Sequence, residues 1–343
     1  MKVILREGSS PSFGTNLPKW WNGRHYGLKI RCRNRREGST PSLGTNLARD
    51  VLPAPCQKSS AKKIIFPVDI GSDYVMIICM KTEKTIPNLL STPSKMPCFS
   101  FNIPALKFCP AAKIVMNLAK KAKEAMDKVI CSSCYACKGF YMMPNVAEAL
   151  QNKGNFITKS IREDGGDSFV EEMVGQITRK YYKASGEKKS LKNCNTDLFR
   201  VHDAGDLFSA KYINCWIRIC EALPDIRFWF PTREYVRPDQ MPYLQQLALL
   251  PNTSVKPSAL RLDEPAPQIK GIDAGTSVYT SEEKALEDNH YICPATIHAF
   301  RMGRKEWRKV DKKERATLSS CAGNGCKLCF IKGCKKGIAY MAH

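Results

Sequence analysis

Histidine is scarce in this chain, with five in 343 residues, and none falls in an H-x-x-H or H-E-x-x-H pattern. That excludes the helical zinc-hydrolase arrangement. No G-x-x-x-x-G-K-[ST] stretch is present, so a P-loop is excluded as well. The longest apolar run, Tyr74 to Met80, is too short to span a bilayer and is bounded by charge, so no membrane partner is expected. The opening stretch, Met1 to Leu17, has no long apolar core, and no secretory signal is expected. Acidic residues are outnumbered, 32 against 54 basic, which leaves a formal net charge of +22. Such a balance favours anionic partners, nucleic acid or nucleotide. No basic run with interleaved aromatics stands out, so a solvated basic face explains the charge equally well.

Cysteine, by contrast, is abundant at sixteen residues. A cytoplasmic, reducing location is expected, where clustered cysteines signify metal or redox chemistry rather than a disulfide framework. The first cluster is Cys131-Ser-Ser-Cys134-Tyr-Ala-Cys137. Two thiolates separated by two residues can reach one metal from a single turn. Cys137 and Cys109 are the candidates to complete the set, and the lack of a nearby histidine favours thiolate-only ligation, by an iron–sulfur cluster or four-thiolate zinc. The second cluster, Cys321-x4-Cys326-x2-Cys329-x4-Cys334, could be a complete set, with Cys293 a rival fourth ligand. Its spacing fits zinc or a second iron–sulfur cluster. Cys215 and Cys220 lie in an apolar helix and read as core.

Along the chain, residues 1–60 read as a disordered basic tail containing a two-copy repeat, Arg6–Leu17 and Arg36–Leu47. An alternative is that the working protein starts at Met80. Residues 61–89 read as short strands or linker, 90–290 as an α/β core with the first cysteine cluster, and 291–343 as a cysteine-rich metal-binding segment. An amphipathic helix is expected from Ala111 to Ile130, with Ile114, Leu118, Ala122, Met126 and Ile130 as its apolar stripe. At roughly 30 Å, a straight helix of that length would hold Cys109 and Cys131 apart, so either the helix breaks or Cys109 serves something else.

Strands are expected at Leu198–Val201, Ile226–Phe230 and Thr253–Lys256, with helices between them, the first capped by Ser209. That spacing argues parallel βαβ units, and chemistry in such sheets gathers at the carboxyl ends of the strands. Three polar strand ends follow: His202-Asp203-x-x-Asp206, Thr232-Arg233-Glu234 and Pro257-Ser258. Asp203, Asp206 and Arg233 are the candidate catalytic residues, and His202 and Ser258 candidate cofactor-binding ones. Arg233 suits a carboxylate or phosphate. The competing reading is that both aspartates satisfy turn amides and cap the next helix, with Arg233 paired to one of them.

From Leu90 onward the chain resembles the phage and plasmid gene product 88 family. The residues that carry this are Ser94-Lys-Met-Pro97, Cys109-Pro110, Cys131-x-x-Cys134-Tyr-Ala-x-Lys-Gly139, Phe199-Arg-x-His-Asp-x-Gly-Asp-x-Phe-Ser209, Phe228-Trp-Phe-x-Thr-Arg233, Pro257-Ser-Ala259, Cys293-Pro294 and the final cysteines. The family implies no particular reaction. More distantly, C-x2-C-Tyr-Ala followed by the acidic loop and the Thr-Arg strand end looks like the phage three-cysteine proteins related to radical S-adenosylmethionine enzymes.

That likeness implies a partial (β/α) barrel of radical-SAM-like type. It also implies a [4Fe–4S] cluster on Cys109, Cys131 and Cys134, with the fourth iron open to a ligand. The 21 residues between Cys109 and Cys131 and the lack of a glycine-rich S-adenosylmethionine strand depart from the radical pattern, which counts against bound S-adenosylmethionine. The sequence is therefore expected to encode an α/β iron–sulfur protein of open reaction and substrate. Its second metal would rest on Cys293, Cys321, Cys326 and Cys329. The alternative is a zinc protein that binds nucleic acid without catalysis.

Overall fold

The structure, a computed structural model, describes residues 86–342 except Ser94 and Asn193, together with the backbone of two strands, β1 (Lys63–Ile70) and β2 (Asp73–Met80). The repeat-bearing segment 1–60, with Cys32, Cys56 and His25, lies outside the described residues, as does His343. Strands β1 and β2 pair antiparallel, Lys63 opposite Met80 through Ile70 opposite Asp73. They belong to a unit of their own, and Ile86–His343 forms a second compact unit.

The second unit is built on a five-stranded sheet. Strand β3 (Leu90–Ser91) runs antiparallel to β4 (Phe99–Phe101). After β4 come helices α1 (Pro110–Lys121), α2 (Pro144–Asp164) and α3 (Asp167–Tyr181), then β5 (Leu198–Val201). Helix α4 (Ala210–Ala222) leads to β6 (Arg227–Thr232), and α5 (Met241–Leu249) to β7 (Thr253–Pro257). Strands β4 to β7 are parallel and stand side by side in chain order. Ser209 caps α4, its hydroxyl accepting from the Tyr212 amide at 3.3 Å.

Side chains alternate across a strand, so the register sorts them onto two faces. Phe101, Phe199, Val201, Phe228, Phe230 and Val255 join one apolar core with the helices. Trp216 of α4 sits in its middle, within 5.6–6.5 Å of the rings of Phe101, Phe169, Phe199, Tyr212, Phe228 and Phe230. On the opposite side Arg200 is level with Ser100, Trp229 and Ser254. There Trp229 packs on Cys98, Cys293, Cys329 and Phe330, so the C-terminal cysteine segment covers this face.

That segment belongs to the same compact unit. Strand β8 (Thr276–Tyr279) is followed by α6 (Glu282–Glu287), β9 (His290–Ile292), α7 (Pro294–Lys309) and α8 (Lys312–Leu318). The last strand, β10 (Gly337–Met341), inserts parallel between β8 and β9. A parallel bridge from Ser258 to Thr276 continues the edge at β7 toward this second sheet.

Helix α1 differs from expectation. It stops at Lys121, and its buried stripe is Ala111, Ala112, Val115 and Ala119, while Ile114 is 39% and Leu118 58% exposed. The large apolar side chains point outward because α1 lies against the turn Glu234–Val236, where small residues allow close approach. The chain leaves the helix through Lys123 at φ 56°, and Glu124 is then fixed by a two-pronged contact from Arg261, both bonds 2.7 Å. No proline or glycine marks this break, so the sequence did not announce it.

Lys153 of α2 is buried, donating to the Ser91 hydroxyl at 2.8 Å and lying over the Phe101 ring. Burial alone lowers its pKa to about 8. The unfolded chain then holds more protons than the folded one between pH 8 and the ordinary lysine value of 10.5, so stability rises with pH across that window. Lys153→Met is expected to stabilise the protein at neutral pH by ~2 kcal/mol and to flatten that rise, as read by urea melts across pH.

Candidate functional site

A cavity of about 860 Å³ opens where β5, β6 and β7 end, and residues from both cysteine clusters line it. Cys109, Cys131 and Cys134 reach it from one side and Cys293, Cys321, Cys326 and Cys329 from the other. His202, Asp203, Asp206, Arg233 and Ser258 line it as well. Cys137 and Cys334 do not figure among its lining residues, and the Cys334 thiol lies 3.2 Å from the Lys336 carbonyl instead.

The first group depends on the broken helix. Cys109 directly precedes α1, whose N-terminus is held by Glu234, the carboxylate of which accepts from the Ala111 amide at 3.1 Å. Beyond the break, Cys131 sits in the short turn Ile130–Ser133, tied down where the Ile130 amide donates to the Leu260 carbonyl at 3.0 Å. Cys109 and Cys131 are thereby brought back to one cavity despite the 21 residues between them. Burial pushes the Cys109 thiol well above its usual range, and neighbouring Asp206, Cys134 and Cys131 push the same way. Burial also raises Cys131, with the Arg233 guanidinium opposing it.

In the second group, burial lifts the Cys321 thiol to about 12, and Cys329, Cys293 and Cys326 add to the rise. Cys329 is lifted to about 11, again by burial, while its contact with the Tyr340 hydroxyl at 3.3 Å opposes the rise. Burial raises Cys293 too, and Cys326 contributes. Within each group, thiols from two separate stretches thus influence one another. As they stand, no three His, Cys, Asp or Glu side chains among the described residues form a ready set of ligands for a single metal ion.

The polar loop after β5 divides its labour. Asp206 is buried and spent on local structure: Oδ1 accepts from the Leu207 amide at 2.8 Å and the Thr232 hydroxyl at 2.6 Å, and Oδ2 from the Arg233 amide at 2.9 Å. Burial nevertheless raises its pKa. The turn-satisfying role weighed from the sequence is the one it has, although Ser209 rather than either aspartate caps α4. Asp203 faces other side chains: it pairs with Arg200 at 2.7 Å and accepts from the hydroxyls of Tyr135 and Tyr141.

His202 lines the cavity and also packs into the core, with its Nδ1 buried and without a hydrogen-bond partner among the described residues. Its ring packs beside Phe101 and Tyr212, with Nε2 3.2 Å from the Tyr212 hydroxyl, and burial lowers its pKa to about 3, so the imidazole is neutral. It occupies the left-handed region at φ 68°, where the chain turns sharply out of β5. Arg233 forms no ion pair with either aspartate; its Nε donates to the Ala259 carbonyl at 3.0 Å. The Ser258 and Thr276 hydroxyls are 3.2 Å apart.

Sequence reasoning missed Arg200. Its guanidinium stacks 4.7 Å from the centre of the Trp229 ring and lines the cavity between the two cysteine groups. Its Nε and the indole N–H of Trp229 are buried without a hydrogen-bond partner among the described residues. The signal was present: a lone arginine inside the strand Leu198-Phe-Arg-Val201 must face something polar or aromatic.

Fold and site together define an α/β protein whose parallel strands end at a cavity lined with cysteines. The chain belongs to the gene product 88 family, whose family model matches residues 77–332. No curated protein and no solved structure is significantly similar to it.

Proposed function

We propose that this is an iron–sulfur protein in which Cys109, Cys131 and Cys134 hold one cluster and Cys293, Cys321, Cys326 and Cys329 a second metal centre, on a partial barrel of the radical-enzyme type. The observation that carries the reading is that seven cysteines from distant stretches line one cavity in two groups. Three of these cysteines are buried and four partly exposed, and a cationic centre in the void would ionise them and use them all.

The donor set suits an iron–sulfur cluster rather than a hard ion, because seven cysteines line the cavity and Asp206 is already engaged. Strands β4 to β7 in sequential parallel order, carried on through the bridge to β8, support a partial barrel wall over a doubly wound sheet. Bound iron–sulfur centres would supply electron transfer to whatever occupies the cavity. Around them the chain's own groups would position an occupant: Arg200 and Arg233 toward acceptors, Asp203 with its two tyrosines toward donors.

Protein purified without oxygen is expected to be brown, with a broad visible absorption near 400 nm and stoichiometric iron and acid-labile sulfide. A colourless preparation carrying zinc and no iron sinks the proposal.

A further inference from the structure

We propose that the outer face of α7 and α8 is a docking surface for the phosphodiester backbone of a nucleic acid. This surface does not rest on the metal reading. Between Pro294 and Lys336 the sequence has twelve basic residues against three acidic ones, the most lopsided stretch of the folded unit. Two of these cations are neutralised locally: Arg301 by Glu282 and Lys309 by Glu306, both at 2.7 Å. Arg304, Lys305, Arg308, Lys312 and Lys313 are all exposed, and none has a carboxylate partner among the described residues.

Their placement is built by the fold. Helix α7 begins with an apolar side: Ala295 and Ala299 are buried, and Ile297 and Phe300 pack on Tyr279, Ala339 and Met341. At Gly303 the backbone swings to φ 71° and ψ 159°, which breaks the helix where the basic run starts. Arg304 and Arg308 then lie one turn apart on the same side, with Lys305 beside them. Asp311 caps α8, its carboxylate accepting from the amides of Lys313 and Glu314 at 2.7 and 3.2 Å, and so sets the next two lysines at a helix start. Cations there oppose the helix dipole, so local helix stability does not account for them.

The chemistry selects the partner. A membrane-binding helix needs a free apolar side, but that side of α7 is already packed, leaving Met302 as the exposed large apolar side chain of the two helices among the described residues. A protein interface needs an apolar centre, which this face lacks. A row of unpaired cations suits a phosphate backbone read by charge alone.

The test is fluorescence anisotropy of the full chain with a labelled oligo-dT strand and a labelled RNA of equal length, in rising KCl. Binding at low salt is expected, with log affinity falling linearly against log salt. The triple variant Arg304→Glu/Lys305→Glu/Arg308→Glu is expected to bind more than ~10-fold more weakly and to lose about one unit of salt slope per contact removed. Lys113→Glu/Lys120→Glu, on exposed positions of α1, is expected to bind like the native chain. Should the triple variant fail to fold, Lys312→Glu/Lys313→Glu on α8 gives the same readout. Equal binding by the native and α7/α8 variants overturns the proposal. So does absence of binding at every salt concentration, or binding confined to phosphatidylserine vesicles. Preference for one of the two strands names the nucleic acid.

Discussion

Replacing Cys131 by alanine, in protein purified without oxygen, is expected to remove the iron and sulfide of one centre and leave the other. Replacing Cys326 is expected to do the converse. If both centres are clusters of the same size, each variant keeps about half the native iron, and the double variant keeps none. Cys109, Cys131 and Cys134 reach the cavity from the α1 side, and Cys293, Cys321, Cys326 and Cys329 from the segment that covers Trp229. Their mutual influence on acidity stays largely within each group. Cys137→Ala and Cys334→Ala, whose thiols lie outside the cavity lining, are expected to keep full metal content. Native-like iron in both Cys131→Ala and Cys326→Ala would end the two-centre reading. Iron lost from both centres in either single variant would mean that the groups act as one.

Asp206→Ala is expected to be the most destabilising single change in the polar loop, by ~3 kcal/mol or more, read by urea unfolding. Three donors depend on that carboxylate: the amides of Leu207 and Arg233 and the hydroxyl of Thr232. Removing it strands them in a buried setting, and each buried donor left without an acceptor costs about 1–3 kcal/mol. The same contacts tie the end of β5 to the end of β6, so the cavity wall loosens with them. Asp203→Asn is the informative contrast. Its partners are the side chains of Arg200, Tyr135 and Tyr141; the amide still offers the tyrosines an acceptor but removes the charge opposite the largely buried Arg200, and a loss of about 1–2 kcal/mol, smaller than that of Asp206→Ala, is expected. Equal losses in the two variants would show that Asp203, too, is spent on holding the loop.

The strands of the parallel sheet were legible because each is a short apolar run bounded by turn residues, as in Leu198–Val201 and Thr253–Pro257. The helix after Ser209 was legible through its cap. The division between Asp203 and Asp206 was not, because both sit in one acidic loop and only neighbours distant in sequence separate them: Thr232 for one, Tyr135 and Tyr141 for the other. The contact of His202 with Tyr212 was illegible for the same reason, since Tyr212 cannot be linked to the strand end from the sequence alone. The buried side of α1 was misjudged because hydropathy counts large side chains, whereas a close contact selects small ones such as Ala111 and Ala119.

By itself the sequence determined most of the candidate residues: the cysteine spacings, the polar strand ends and the excess of positive charge are all local patterns. Only the tertiary structure decided which of them meet. Cys109 and Cys131 share a cavity because α1 ends early, and Cys329 joins Trp229 in one buried cluster although they lie far apart in the chain. Convergence of that kind depends on where a chain turns, and a turn such as the one at Lys123 is stabilised by partners far away in the text, here Arg261 on Glu124.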